Sequence, residues 1–162
     1  MARDISPADS RGRVEAVSDE TELRMWQWAS AYGEQRLITH GLGSCIGLAV
    51  LNHTNRQGYL GHLPAPAAGD GQLEEMTEQI VSDRTDGDVL SVWIGGGYVP
   101  VRQPEKRLIA AGRDMVTDTI RRVAPEADVT LWWTEQREHL MSMVLDIGSA
   151  TCQFVIEDDV ED

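Results

Sequence analysis

A chain of 162 residues is long enough to bury one sizeable core in a single domain, and its 41% hydrophobic and 25% charged residues suit a globular protein. A net charge of −13 disfavours phosphate-driven nucleic-acid binding and anionic membrane surfaces, and points to a protein or small molecule as partner. No apolar run approaches the roughly 20 residues of a bilayer span, the opening MARDISPADSRGRVEAVSDE lacks the apolar stretch of a secretion signal, and the two cysteines read as reduced thiols of a cytoplasmic protein.

Residues 1–20 show no periodicity and are expected as a flexible arm, with the domain over 21–158 and an acidic tail over 159–162. Met25 to Ala29 alternates large and polar groups, as a half-buried strand does. Arg36 to Thr39 and Ile46 to Leu51 predict two more strands, flanking a glycine-studded turn. NHTNRQG (52–58) is rich in turn formers, so Tyr59 to Leu63 reads as an antiparallel return that stops at Pro64. A Pro/Gly/Ala loop over 65–71 leads into an acidic helix with Leu73, Met76, Ile80 and Val81 on its buried face.

Val89 to Ile94 predicts a buried strand running into Gly95-Gly96-Gly97. Pro104 suits the first turn of a second helix carrying Leu108, Ile109, Met115, Val116, Ile120 and Val123 inward, with a kink at Ala111-Gly112. Val129 to Trp133 is a further strand, and Leu140 to Leu145 with Cys152 to Ile156 a closing hairpin turning through Gly148-Ser149. The five tryptophans are assigned chiefly to the core, and Cys152 to inert packing. Two helices among seven or so strands, several in hairpins, give an α+β fold built on mixed sheets.

The stretch THGLGSCIGLAV (39–50) sets Cys45 behind Gly41, Gly43 and Ser44, which would let a substrate and backbone N–H groups approach the sulfur. A free thiol is only about 3% ionised at neutral pH, so a nucleophilic Cys45 needs a base. Of four histidines, His53 falls in a turn and His40 just before the bend; His139 lies far along the chain. The predicted hairpin returns His62 to the end of the strand that begins at Cys45, which makes His62 the expected base and Cys45 a thiol titrating below its free value. Gly96 and Tyr59 are the residues expected at a substrate groove. No CxxC, HExxH or carboxylate cluster points to a metal, and no cofactor is expected.

Thr39, Gly41-Leu42-Gly43-Ser44-Cys45, Gly58 and His62 resemble the signature of the CheD family of chemoreceptor glutamine deamidases, with Thr-to-Cys and Cys-to-His separations of six and seventeen positions. The order of elements is similar over roughly residues 22–158. Where the family carries a glycine- and arginine-bearing motif before its last hairpin, this chain has Thr134-Glu135-Gln136-Arg137-Glu138-His139. The resemblance implies a layered β/β/α sandwich, also similar to the deamidating domain of cytotoxic necrotizing factor toxins. It further implies a Cys45–His62–Thr39 site with oxyanion donors around Gly43 and Ser44, acting on a glutamine-bearing protein, possibly a chemoreceptor, and a regulatory protein partner. The alternatives from the residues are a non-catalytic module that docks a signalling protein, and another Cys-His acyl-transfer enzyme.

Overall fold

The run Ile46–Asn52 is apolar at nearly every position because both of its faces are buried, and the domain is layered around it. The structure is a computed structural model that describes residues 11–65, 71–102, 104–135 and 140–157. Outside those residues lie the first half of the expected arm, the interior of the Pro/Gly/Ala loop, His139 with the three residues before it, and the acidic tail.

Among the described residues, ten strands and two helices follow in the order β1 (Gly12–Arg13), β2 (Glu20–Leu23), β3 (Gln27–Tyr32), β4 (Arg36–Leu42), β5 (Ile46–Asn52), β6 (Gln57–Leu63), α1 (Gln72–Asp83), β7 (Leu90–Gly96), α2 (Glu105–Val123), β8 (Asp128–Trp133), β9 (Leu140–Asp146) and β10 (Thr151–Glu157). The first sheet has the order β1-β3-β6-β5-β7-β8, the second β10-β9-β4-β2. Each sheet mixes antiparallel neighbours with parallel ones: β1 beside β3 and β7 beside β8 in the first, β2 beside β4 in the second.

Strand β5 shows why the layers stack as they do. Its Ile46, Leu48 and Val50 face the helices, in a core with Trp28, Tyr59, Leu63, Met76, Ile80, Val92, Val116 and Ile120. Its Ala49 and Leu51 face the second sheet, in a separate core with Leu37, Leu42, Leu60, Met141, Met143 and Leu145. Side chains alternate with period two along a strand, so one apolar run serves both cores. The result is an α+β domain on mixed sheets, as read from the residues, layered as the sheet-on-sheet-on-helix sandwich that the family resemblance implies.

The hairpin turn is held by Asn52, whose side-chain oxygen accepts from the N–H groups of Thr54 (3.0 Å) and Asn55 (3.2 Å) while its amide donates to Asp88 (2.8 Å). That local competition with the ladder is what ends β5. Its register then pairs Ile46 with Leu63 and Gly47 with His62.

Several expectations differ in detail. The described half of the arm carries β1, which pairs with β3, and the start of β2. Helix α2 runs unbroken through Gly112 and buries Ile109, Val116 and Ile120; Leu108 and Met115 lie off that face, half exposed, as does Val81 on α1. Trp28 is fully buried, but Trp132 is 46% exposed on the outermost strand β8. The kink expected at Gly112 is replaced by a close approach: a Cβ there would lie 2.4 Å from the Ala65 carbonyl oxygen.

That contact inverts an ordinary rule. Glycine to alanine inside a helix normally gains about 1 kcal/mol. Gly112→Ala should instead lose ~1–3 kcal/mol through overpacking against backbone, read as a lower urea midpoint at unchanged slope.

Candidate active site

At one of the crossings between the sheets β4 leaves the second and β5 enters the first, and Cys45 sits there. Gly41 takes φ +72°, a left-handed conformation, within a bulge where the β4–β9 register shifts between Thr39 and Leu42. Tyr98 N–H then donates to Gly43 O (2.8 Å) and Gly97 N–H to Cys45 O (2.8 Å), so the strand after the triple glycine backs the crossing. Gly96 is needed there because a Cβ would lie 2.5 Å from Cys45 O, and its φ is +80°. It braces the main chain of Cys45 and is buried, so it supports the thiol from behind rather than lining an open groove.

His62 stands opposite Gly47 in the β5–β6 hairpin, on the face turned to the second sheet. A Cβ on Gly47 would meet Met143 Sδ at 2.2 Å, which shows that this face is packed tightly against β9. Alternation puts Cys45, two positions before Gly47, on the same side. From the second sheet, Thr39 on β4 reaches across: its Oγ1 lies 2.6 Å from His62 Nδ1.

The direction of that bond follows from a count of protons. Thr39 has one hydroxyl hydrogen, and Oγ1 donates it to the carbonyl of Leu23 on β2 at 2.9 Å. Its lone pair must therefore accept from His62 Nδ1–H. The hydrogen-bond network thus assigns the tautomer protonated at Nδ1, leaving Nε2 with a lone pair. His62 Nε2 is buried and has no hydrogen-bond partner among the described residues. A buried acceptor left open is costly in a structural histidine and is the feature a base requires.

Burial governs the charges. It pushes the Cys45 thiol up to about 11 and the His62 imidazole down to about 4, so both are neutral at pH 7. The thiol titrating below its free value, expected from the sequence, is not what the resting fold provides. Desolvation acts on Cys45, which is only 8% exposed, and among the described residues no cation offsets the loss of water.

Of the other candidates, Ser44 is exposed and Gly43 half-exposed at the turn. No turn or loop hydrogen bond takes the Ser44 or Cys45 N–H among the described residues. Tyr59 is not brought to the site: it lies on the helix-facing side of β6 and donates its hydroxyl hydrogen to Asp83 (2.8 Å). His40 turns to the outer face of the second sheet, 2.7 Å from Ser142 Oγ, and His53 lies 2.7 Å from Ser91 Oγ near the far end of β5. Among the described residues, no group of three or more His, Cys, Asp and Glu could hold a metal ion, and no helix is long and apolar enough to cross a membrane.

The sequence reading missed the cavity beside the turn. An open cleft of about 900 Å³ lies between Gly43 and Ser44 on one side and Tyr98, Val101, Arg102, Glu105 and Leu108 on the other. Leu108, expected on the inward face of α2, lines this cleft instead.

No protein-family model matches the chain. A relative described as a probable chemoreceptor glutamine deamidase CheD, from Moorella thermoacetica, is 33% identical over 115 residues. The chain belongs to the CheD family. The aligned part takes in 68% of this CheD-like chain and 66% of that relative. Among solved structures, the Bacillus licheniformis hypothetical protein YfiH matches with a TM-score of 0.44 and 8% identity, over 81% of the CheD-like chain and 65% of its own.

The two shifts set a pH profile for stability. His62 binds its proton near 6.5 when unfolded but only near 4 when folded, so stability falls as pH drops from about 6.5, by up to roughly 3 kcal/mol. Cys45 works in the other direction, with stability falling as pH rises above 9, where the unfolded thiol ionises first. Urea midpoints should be flat between these limits, and His62→Gln should remove most of the difference between pH 6.5 and 5. Alkylation of folded Cys45 by iodoacetamide should keep accelerating up to about pH 11 rather than levelling near 8.

Proposed function

We propose that this CheD-like protein is a cysteine-dependent protein-glutamine deamidase that works in the cytoplasm, with a chemoreceptor as the substrate suggested by its relative. The observation that carries the reading is the unpartnered, buried Nε2 of His62, whose other nitrogen is tied to Thr39 on the sheet opposite. Family membership supports the substrate class; the geometry supports the division of labour.

Thiol and imidazole rest neutral, so the chemistry starts with a coupled step. As Cys45 Sγ attacks the side-chain amide carbon of glutamine, His62 Nε2 takes the thiol proton. The carbonyl oxygen becomes an oxyanion, to which we assign the N–H groups of Ser44 and Cys45 as donors, because the expected Gly43 N–H already donates to Gly41 O (3.1 Å); each such donor is worth about 3 kcal/mol to the transition state. Thr39 Oγ1 accepts from Nδ1–H throughout and stabilises the imidazolium as it forms, the orienting role of a triad's third member. Nε2–H then protonates the departing amine, the C–N bond breaks, and ammonia leaves a thioester on Cys45. A water molecule, deprotonated by Nε2, hydrolyses the thioester to glutamate and restores the thiol.

The cavity beside Ser44 has the size to seat the protein segment around the glutamine, with a mixed lining in which Arg102 and Glu105 stand beside Tyr98, Val101 and Leu108. A second reading, a non-catalytic module that docks a signalling or regulatory protein, is favoured by the burial that keeps Cys45 protonated. Ammonia release decides between them.

With a glutamine-bearing receptor fragment as substrate, Cys45→Ala and His62→Ala should each lower ammonia release by at least about 10³-fold. Thr39→Val should cost about 10–100-fold, since it leaves base and nucleophile in place but unties Nδ1. A wild-type protein that binds the fragment without releasing ammonia would establish the docking module instead.

A further inference from the structure

The turn between β2 and β3 spans the two sheets beside His62, and it touches both members of the Thr39–His62 pair. At its start, the Leu23 carbonyl accepts from Thr39 Oγ1 (2.9 Å). At its end, Trp26 N–H donates to the His62 carbonyl (3.0 Å). Gln27 closes the turn on itself: its N–H donates to Arg24 O (3.1 Å), and its side-chain oxygen accepts from Arg24 N–H (2.8 Å).

Trp26 holds φ +72°, a left-handed conformation that a bulky residue rarely adopts. Glycine would take it without strain, so an aromatic residue there needs something to hold it. The preceding segment supplies two holds. Gly12 N–H donates to Trp26 O (2.7 Å), and the Arg11 guanidinium lies over the Trp26 ring at 4.3 Å from its centroid. The arm, the strained residue and the backbone of His62 thus form one continuous chain of contacts.

We propose that Trp26 is a positioning residue for His62, kept in its left-handed conformation by Arg11 and Gly12, so that the segment ahead of β2 sets the imidazole against Thr39. The effect on turnover rests on the deamidase reading above; the effect on His62 itself does not. Arg11 acts only through Trp26: releasing the ring lets the strained backbone relax, which withdraws the N–H from the His62 carbonyl and loosens Nδ1 from Thr39. Glycine at position 26 keeps the backbone conformation without needing the clamp.

The test uses the full chain with Arg11→Ala, Trp26→Gly and the double variant, following the two ring nitrogens of His62 by NMR alongside turnover. In the wild type and in Trp26→Gly, Nδ1 should be protonated and Nε2 bare. Arg11→Ala should mix the two tautomers and lower kcat by about three- to tenfold with KM unchanged. In the Trp26→Gly background Arg11→Ala should change nothing further. Wild-type nitrogen signals in Arg11→Ala, or an equal Arg11→Ala effect in both backgrounds, would overturn the assignment. If the wild type releases no ammonia, the nitrogen signals still decide it, so the two readings fail separately.

Discussion

The hydrogen bond between Thr39 and His62 is made by residues from two different sheets, and most of the surrounding structure serves to keep its ends 2.6 Å apart. Thr39 lies on β4 of the four-stranded sheet and His62 on β6 of the six-stranded one; both are almost wholly buried. The distance between packed sheets is set by side-chain volume, so the apolar layer between them is what gives a short polar contact its geometry. Leu37, Leu42, Leu60, Met143 and Leu145 fill that layer, and Gly47 leaves the space that Met143 occupies next to His62. The polar pair would be a liability inside this core if its members were not matched. The Leu23 carbonyl takes the one proton that Thr39 has to give, and the whole arrangement has a single direction.

The same burial creates a tension between reactivity and stability. A thiolate next to an imidazolium would be the more reactive resting state, but two charges in this layer would each face a heavy desolvation cost. The fold settles on neutral partners, and in the proposed mechanism the proton moves only when the thiol meets an electrophile. Such a site is quiet towards adventitious oxidants and alkylating agents at neutral pH, because those act on the thiolate.

Much of this was legible in the residues. The hairpin that returns His62 towards Cys45 could be read from NHTNRQG between two apolar runs, because turn chemistry is local and fixes register over short separations. The layered fold followed from the same reading together with a family resemblance. What escaped was non-local. Strand β1 is two residues long and exists only by pairing with β3, and β2 reads ETEL, with charges alternating with Thr21 and a single buried apolar residue, Leu23. Gly96 and Tyr59 were expected at a substrate groove, but the faces of their strands send Tyr59 to the helices and press Gly96 against the Cys45 carbonyl. The neutral state of Cys45 was out of reach for a related reason, since desolvation depends on how many distant residues come to surround a group.

The strand order of the smaller sheet has a consequence for how the protein is made. Its β4 lies between β2 and β9, and β9 begins about a hundred residues further along the chain. During synthesis, Cys45 and His62 can be drawn together as soon as their hairpin emerges. The sheet that carries Thr39 has no second neighbour for β4 until Leu140–Asp146 has been translated and has paired with it. Contacts between segments this far apart in sequence form late and slowly. The imidazole therefore acquires its fixed tautomer only near the end of folding, and a partly made chain carries the thiol with an imidazole that is not yet oriented.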